Sequence, residues 1–153
     1  MTDRLGKILV ESGKKYGNMV VMVADFSEKL GLKDFSIAYG ERMFNFGLAE
    51  TNMVSASVGF SVRGKMPVIV GLSNFLASRG LEQIRNGICV PNLNVKIIGA
   101  NFGNSGYEDL EDLAILKNLP NMKVVHVKDE NKLEKEIEKM LGEYGPTYLR
   151  IEG

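Results

Sequence analysis

Short apolar runs of strand length alternate along the whole chain with stretches long enough for several helical turns, and this alternation restricts the fold more than any other feature. Residues 19–24, Met-Val-Val-Met-Val-Ala, are continuously apolar and closed by Asp25, which suits a strand covered on both faces. Further strands are predicted at 43–46, 67–70, 95–98, 123–127 and 147–151. Helices are predicted at the amino terminus, with Thr2 able to cap and Leu5, Ile8 and Leu9 on one face, and at 52–63, 76–88, 109–119 and 130–143. Strands separated by helices of this length imply βαβ units. The predicted fold is therefore α/β: a three-layer α/β/α sandwich around a mostly parallel, twisted sheet with right-handed crossovers.

A chain of 153 residues fits one domain, buries roughly 70% of its unfolded surface and needs no covalent staple. Nineteen Lys and Arg balance nineteen Asp and Glu, so there is no basic field for a nucleic-acid backbone. Cys89 and His126, each the sole residue of its type, exclude an internal disulfide, a cysteine zinc cluster and a multi-histidine metal site. No stretch approaches eighteen apolar residues and the first residues lack a secretory core, so the expectation is a cytoplasmic protein without a membrane partner.

Two phosphate-loop lookalikes fail on context. In Gly59-Phe-Ser-Val-Arg-Gly-Lys-Met66 the last position lacks the hydroxyl that would hold magnesium, and the segment runs from helix to strand; Gly64 reads as a left-handed helix cap. Gly99, Gly103 and Gly106 follow a strand with the wrong spacing for a dinucleotide fingerprint, although their N–H groups can serve a stand-alone anion-binding module. His126, within Val-Val-His-Val, reads as a satisfied histidine on one face of a core strand, Cys89 as a small buried apolar residue, and 132–139 as a solvated, ion-paired helix face. The loops at 26–40 and 99–106 follow strands, where open α/β sheets bind ligands, so Asp25 and Asn101 are candidates by position; Asp25 can equally end its strand through a local turn.

The informative segment is 41–54, in which Glu50 opens a helix carrying Ser55, Ala56, Ser57, Gly59 and Ser61. Taken alone, Glu50 need only complement the helix dipole. Gly47-Leu-Ala-Glu-Thr-Asn-Met53, with Lys65-Met-Pro-Val68, Glu82-Gln-Ile-Arg-Asn86, Pro91-Asn-Leu-Asn-Val-Lys-Ile97, Leu110-Glu-Asp-Leu-Ala114, Pro120-Asn-Met122 and Gly145-Pro-Thr-Tyr-Leu-Arg150, resembles the pyrimidine-binding domain of transketolases over nearly the whole chain. The blocks occur in family order. Asn52 stands where the related deoxyxylulose-phosphate synthases usually have His.

The resemblance implies thiamine diphosphate as cofactor, with Glu50 as the catalytic acid that bonds N1′ of its aminopyrimidine from a dry interface. It places Leu72, Phe75 and Ser78 around that ring, so only Phe75 keeps an aromatic face, and joins Asp25 to them through the family's acid in this place. The substrate-side His is replaced by Asn101, and the loop that normally supplies a second His shortens to 104–109 without it. The resemblance therefore implies that sugar handling is altered or lost.

The Gly-Asp-Gly segment that grips diphosphate and its Mg2+ or Ca2+ in the family does not occur in these 153 residues, and the family's carboxy-terminal domain is expected to be absent as well. The expectation is a single pyrimidine-binding domain, residues 1–153, acting as one subunit of a split transketolase-like enzyme whose pyrophosphate-binding subunit holds the metal. Met43, Phe44, Phe46, Leu48 and Met53 are the candidates for contact with that subunit; a homodimer is the other possibility. The substrate would be a phosphorylated or free sugar. The alternative is a noncatalytic structural or regulatory partner that keeps the fold and the interface.

Overall fold

The computed structural model describes residues 1–103 and 110–152. Six strands, β1 (Met19–Val23), β2 (Met43–Asn45), β3 (Met66–Leu72), β4 (Lys96–Asn101), β5 (Lys123–Val127) and β6 (Thr147–Glu152), form one sheet in the order β2-β1-β3-β4-β6-β5, every pair parallel. The helices are α1 (Thr2–Lys15), α2 (Lys33–Ala38), α3 (Glu50–Val62), α4 (Ser73–Arg79), α5 (Leu81–Gln83), α6 (Glu111–Leu116) and α7 (Leu133–Gly142). None is long and apolar enough to cross a membrane.

Alternation along the central strands splits the core in two. Val21, Val23, Val68, Val70, Ile98 and Leu149 pack with Leu5 and Leu9 of α1, Phe35 of α2 and Ile137 of α7. Met22, Ile69, Ile97 and Tyr148 point the other way, against Met53 and Val54 of α3, Leu76 of α4 and Leu116 of α6. All five residues of β1 are buried, as expected of a strand with both faces covered.

Several expectations need correction. Thr2 does not cap α1; it lies inside the helix, which begins without a side-chain cap. The segment 26–40 is less irregular than its composition suggests, because burial of Phe35 secures the six-residue α2. The helix predicted over 76–88 is three pieces: α4 starts earlier, at Ser73, and ends before Gly80, and α5 passes into a π-helical turn, Ile84–Cys89. A β-carbon at Gly80 would press on the Leu76 carbonyl (3.0 Å) and on Val54 Cγ2 of α3 (3.3 Å), so the chain is closely packed there. The strand bearing His126 is the sheet's edge and is half-buried, so His126 is not on a core strand. Gly64 takes the expected left-handed cap with φ +82°. Cys89 is fully buried, and burial pushes its thiol up to about 11.

Two buried polar devices stitch the carboxyl half together. Lys96, at the start of β4, is fully buried and donates to the carbonyls of Glu143 (2.6 Å) and Gly145 (2.7 Å), fixing the turn between α7 and β6. On the far side of β6, the Tyr148 hydroxyl and the Arg150 guanidinium both donate to the buried carboxylate of Asp112 on α6. Tyr148 reaches Asp112 by lying across Gly99, where any β-carbon would strike its hydroxyl. Burial, then the Asp112 carboxylate, holds the Tyr148 phenol well above its ordinary value.

Removing one partner of a buried pair strands the other charge, so Arg150→Met is expected to cost about 3–5 kcal/mol in urea unfolding; a cost below about 1 kcal/mol would contradict this pairing. Burial, then the nearby Lys123, lowers Lys96 from its ordinary 10.5 to about 8. Between those values the unfolded chain binds the proton that the folded chain has lost, so this group makes stability rise with pH, by at most about 1.4 kcal/mol per unit. Denaturation curves from pH 8 to 10 are expected to show that rise in the wild type relative to Lys96→Met.

Candidate active site

A parallel sheet delivers the carboxyl ends of all its strands to one edge. The strand order reverses beside β1, whose neighbours are β2 and β3, and the crevice at such a reversal is where open sheets place ligands. Val23 pairs with Val70, so Asp25 after β1 and Leu72 at the end of β3 lie at the same edge. The connection leaving β2 enters α3 there, beginning with Glu50.

Glu50 is only 5% exposed, unusual for a carboxylate at a helix start. Its partner is Arg79, the last residue of α4: Nη1 lies 3.3 Å from Oε2 and 3.5 Å from Oε1. The same guanidinium lies over the Phe75 ring, one helical turn earlier, with Cζ 4.0 Å from the centroid. The Thr51 hydroxyl donates to the Arg79 carbonyl at 3.0 Å and ties the start of α3 to the end of α4. Glu50 and Phe75 are thus brought together, with Arg79 between them.

The other expected residues fall into place unevenly. Leu72 is partly buried against the core at the end of β3. Ser78 is exposed, and its hydroxyl donates to the Asn74 carbonyl at 2.6 Å, so it is engaged by its own helix. Asp25 is exposed, and it and Phe26 both adopt left-handed backbone, with φ +62° and +56°. This corner is held by Asn45, whose Oδ1 accepts the N–H of Asp25 and that of Gly47, each at 3.0 Å. Gly47 itself has φ +65°, which glycine adopts without a steric penalty. One amide oxygen therefore braces both the turn at Asp25 and the turn leading to Glu50. Sequence reasoning passes over Asn45, although it lies inside the informative segment, because an asparagine near the end of a short strand reads as ordinary turn chemistry.

On the other side of β4, Asn101 donates from Nδ2 to Glu152 Oε2 (3.1 Å) and accepts the Gly103 N–H at Oδ1 (3.2 Å). Glu152 also meets His126 Nε2 at 2.5 Å and accepts from Arg150 Nε at 3.3 Å. Burial pushes its carboxyl up, but the bond to His126, the Arg150 charge and the bond from Asn101 outweigh this and hold it below the usual carboxylate range. His126 is thus satisfied by a carboxylate, while Asn101 has both ends of its amide engaged. The spacing of these residues gives no hint of the network, since its members meet only across β4, β6 and β5. The shortened loop at 104–109, and Gly106 of the anion-binding reading, lie outside the described residues.

Of the apolar residues expected to meet a partner, Met53 is fully buried in this chain's own core and is not available. Its place in the helical repeat turns it toward Met22 and Ile69 rather than outward. Met43 and Phe46 are half-buried, Leu48 is 63% exposed, and Phe44 packs its ring 4.9 Å from that of Phe60.

Residues 1–152 match the family model described as the transketolase pyrimidine binding domain. The chain belongs to the transketolase pyrimidine-binding domain family. Among relatives, it is 38% identical to a putative transketolase C-terminal section of Methanocaldococcus jannaschii, covering 99% of this chain and 50% of that protein. It is 29% identical to one subunit of an apulose-4-phosphate transketolase of Actinobacillus succinogenes, covering 99% and 52%. The chain thus spans about half the length of these two curated relatives. Among solved structures, a split-gene transketolase described as an inactive beta4 tetramer superposes with a TM-score of 0.88 at 39% identity, covering 96% of this chain and 49% of that one. A Campylobacter jejuni transketolase shares the fold, with a TM-score of 0.84 at 18% identity over 99% and 25%.

In this pyrimidine-domain chain the Asn45 brace has a measurable consequence. Asn45→Ala is expected to speed amide exchange at Asp25 and Gly47 and to lower stability by about 1–2 kcal/mol. Asn45→Asp, which keeps an acceptor oxygen, is expected to stay near wild type.

Proposed function

We propose that this chain is the pyrimidine-binding half of a thiamine diphosphate enzyme of transketolase type, completed by a separate subunit that binds the diphosphate and its Mg2+ or Ca2+. The observation that carries the reading is Glu50: a carboxylate 5% exposed at the carboxyl edge of the sheet, engaged by a planar cation that lies on an aromatic ring. A flat, protonatable heteroaromatic ring needs the same pair of contacts, a buried carboxylate at its edge and a π-face against its plane, so the residues present fit an aminopyrimidine. Relatives described as a transketolase C-terminal section, a transketolase subunit and a split-gene transketolase support the division into two chains.

Bound thiamine diphosphate supplies a carbon nucleophile for making and breaking carbon–carbon bonds, here ketol transfer or a related step. Glu50 holds a proton against N1′, and desolvation in the assembled interface strengthens that bond. Phe75 offers its ring to the pyrimidine, Leu72 an apolar wall, and Ser78 and Asp25 polar edges. Asn101 lines the substrate side, toward a free or phosphorylated sugar. Met43, Phe44, Phe46 and Leu48 supply apolar contact with the pyrophosphate-binding subunit, or with a second copy in a homodimer.

One observation favours the noncatalytic reading: the Asn101 amide already serves Glu152 and Gly103, which leaves less of it for a sugar. The two readings separate on co-purification with a pyrophosphate-binding subunit, thiamine diphosphate titration and a screen of ketose donors. In an active assembly, Glu50→Gln is expected to lower turnover by about 10²–10⁴-fold. Retention of most turnover would refute the assignment, and tight thiamine diphosphate binding by the isolated chain would refute the shared site.

A further inference from the structure

Arg79 contacts two of the side chains that the cofactor reading assigns to the pyrimidine, the acid at its edge and the ring at its face. Its Nη1 donates to the Glu50 carboxylate at 3.3 and 3.5 Å, and its Cζ lies 4.0 Å from the centre of the Phe75 ring. A guanidinium is flat, cationic and rich in N–H donors, so at this site it satisfies an acid at its edge and a ring at its face, the two demands a protonated aminopyrimidine would make. Neither contact is strong. The hydrogen bonds are long, and the side chain is 52% exposed, a setting in which ion pairs and cation–π contacts are individually weak. The backbone, by contrast, is anchored through the Arg79 carbonyl to Thr51. A fixed stem with a half-exposed head can swing out without disturbing α3 or α4.

We propose that Arg79 is a positioning residue that competes with the cofactor's aminopyrimidine for Glu50 and Phe75, orienting both and yielding as the ring docks. The inference rests on the thiamine diphosphate reading above. It gives the buried Glu50 a partner during assembly, at the expense of cofactor affinity, because binding must first release Arg79.

A purely structural role and a competing role predict opposite signs. Arg79→Met keeps an apolar stem on Phe75 but removes the charge and the N–H donors. In the assembly with the pyrophosphate-binding subunit, thiamine diphosphate titration is expected to show binding about three- to tenfold tighter for Arg79→Met than for wild type. Arg79→Lys, which retains charge without the planar face, is expected to fall between them. Unchanged or weaker binding in both variants overturns the proposal. In spectra of the isolated chain, the Arg79 δ-methylene protons are expected to be shifted upfield by the Phe75 ring and to return to ordinary values in Phe75→Leu. Their absence from the shifted region overturns the contact itself, whatever the cofactor. A wild-type assembly that takes up no thiamine diphosphate sinks the cofactor reading and this proposal together; an assembly that binds it, with no gain in Arg79→Met, sinks only the proposal.

Discussion

Parallel pairing of all six strands, with both sheet faces sealed by helices, is the constraint on which everything else in this molecule depends. Apolar side chains occupy most positions on both faces of the central strands, so, apart from the buried Lys96 and Asp112–Tyr148–Arg150 contacts, the polar groups gather at the strand ends and the turns that follow them. Asp25, Asn45, Glu50, Leu72, Asn101 and Glu152 all sit at that one edge. They come from separate parts of the chain and are gathered there by strand direction.

The edge contains two polar clusters separated by β3. Around β1 and β2, Asn45 braces two turns, and Glu50 meets a half-exposed cation. Around β4 and β6, Glu152 joins Asn101, His126 and Arg150, and Arg150 continues to the buried Asp112. The second cluster is more fully paired: among the described residues Glu152, Asn101, Arg150 and Asp112 each bond to a group of the fold. The first is less complete, since Glu50 has one half-exposed partner and the adjoining Leu48 projects its apolar side chain outward. That asymmetry is why the proposed cofactor contact belongs to the first cluster, and why Asn101 is a weaker candidate for handling substrate.

Much of the fold is legible from the amino-acid order because it depends on local periodicity. The continuous apolar runs of β1 and β3 announce strands covered on both sides, and Gly64 announces the end of α3. Other features are not legible. The break at Gly80 falls inside an otherwise helical pattern, and α2 owes its place to the burial of Phe35 against residues far away in the chain. Placing His126 on a core strand fails because a short apolar run does not say whether its strand lies at the centre or the edge of a sheet. Met53 reads as an interface residue for a similar reason: an apolar residue near a helix start has no intrinsic side until the helix is docked.

The amino-acid order by itself determined the α/β class, the family, and the identity of Glu50 as the acid to follow, because hydrophobic period and motif are properties of neighbouring residues. Only the tertiary structure decided what Glu50 touches, that Asn45 links two turns, and that Asp112, Lys96 and Glu152 are parts of networks. Those contacts join residues far apart along the chain, in some cases across several strands, and their geometry is set by packing. A sequence can name the groups that carry charge, but the free energy of a charge depends on its burial and on the partners facing it, and both are fixed only when the sheet has closed.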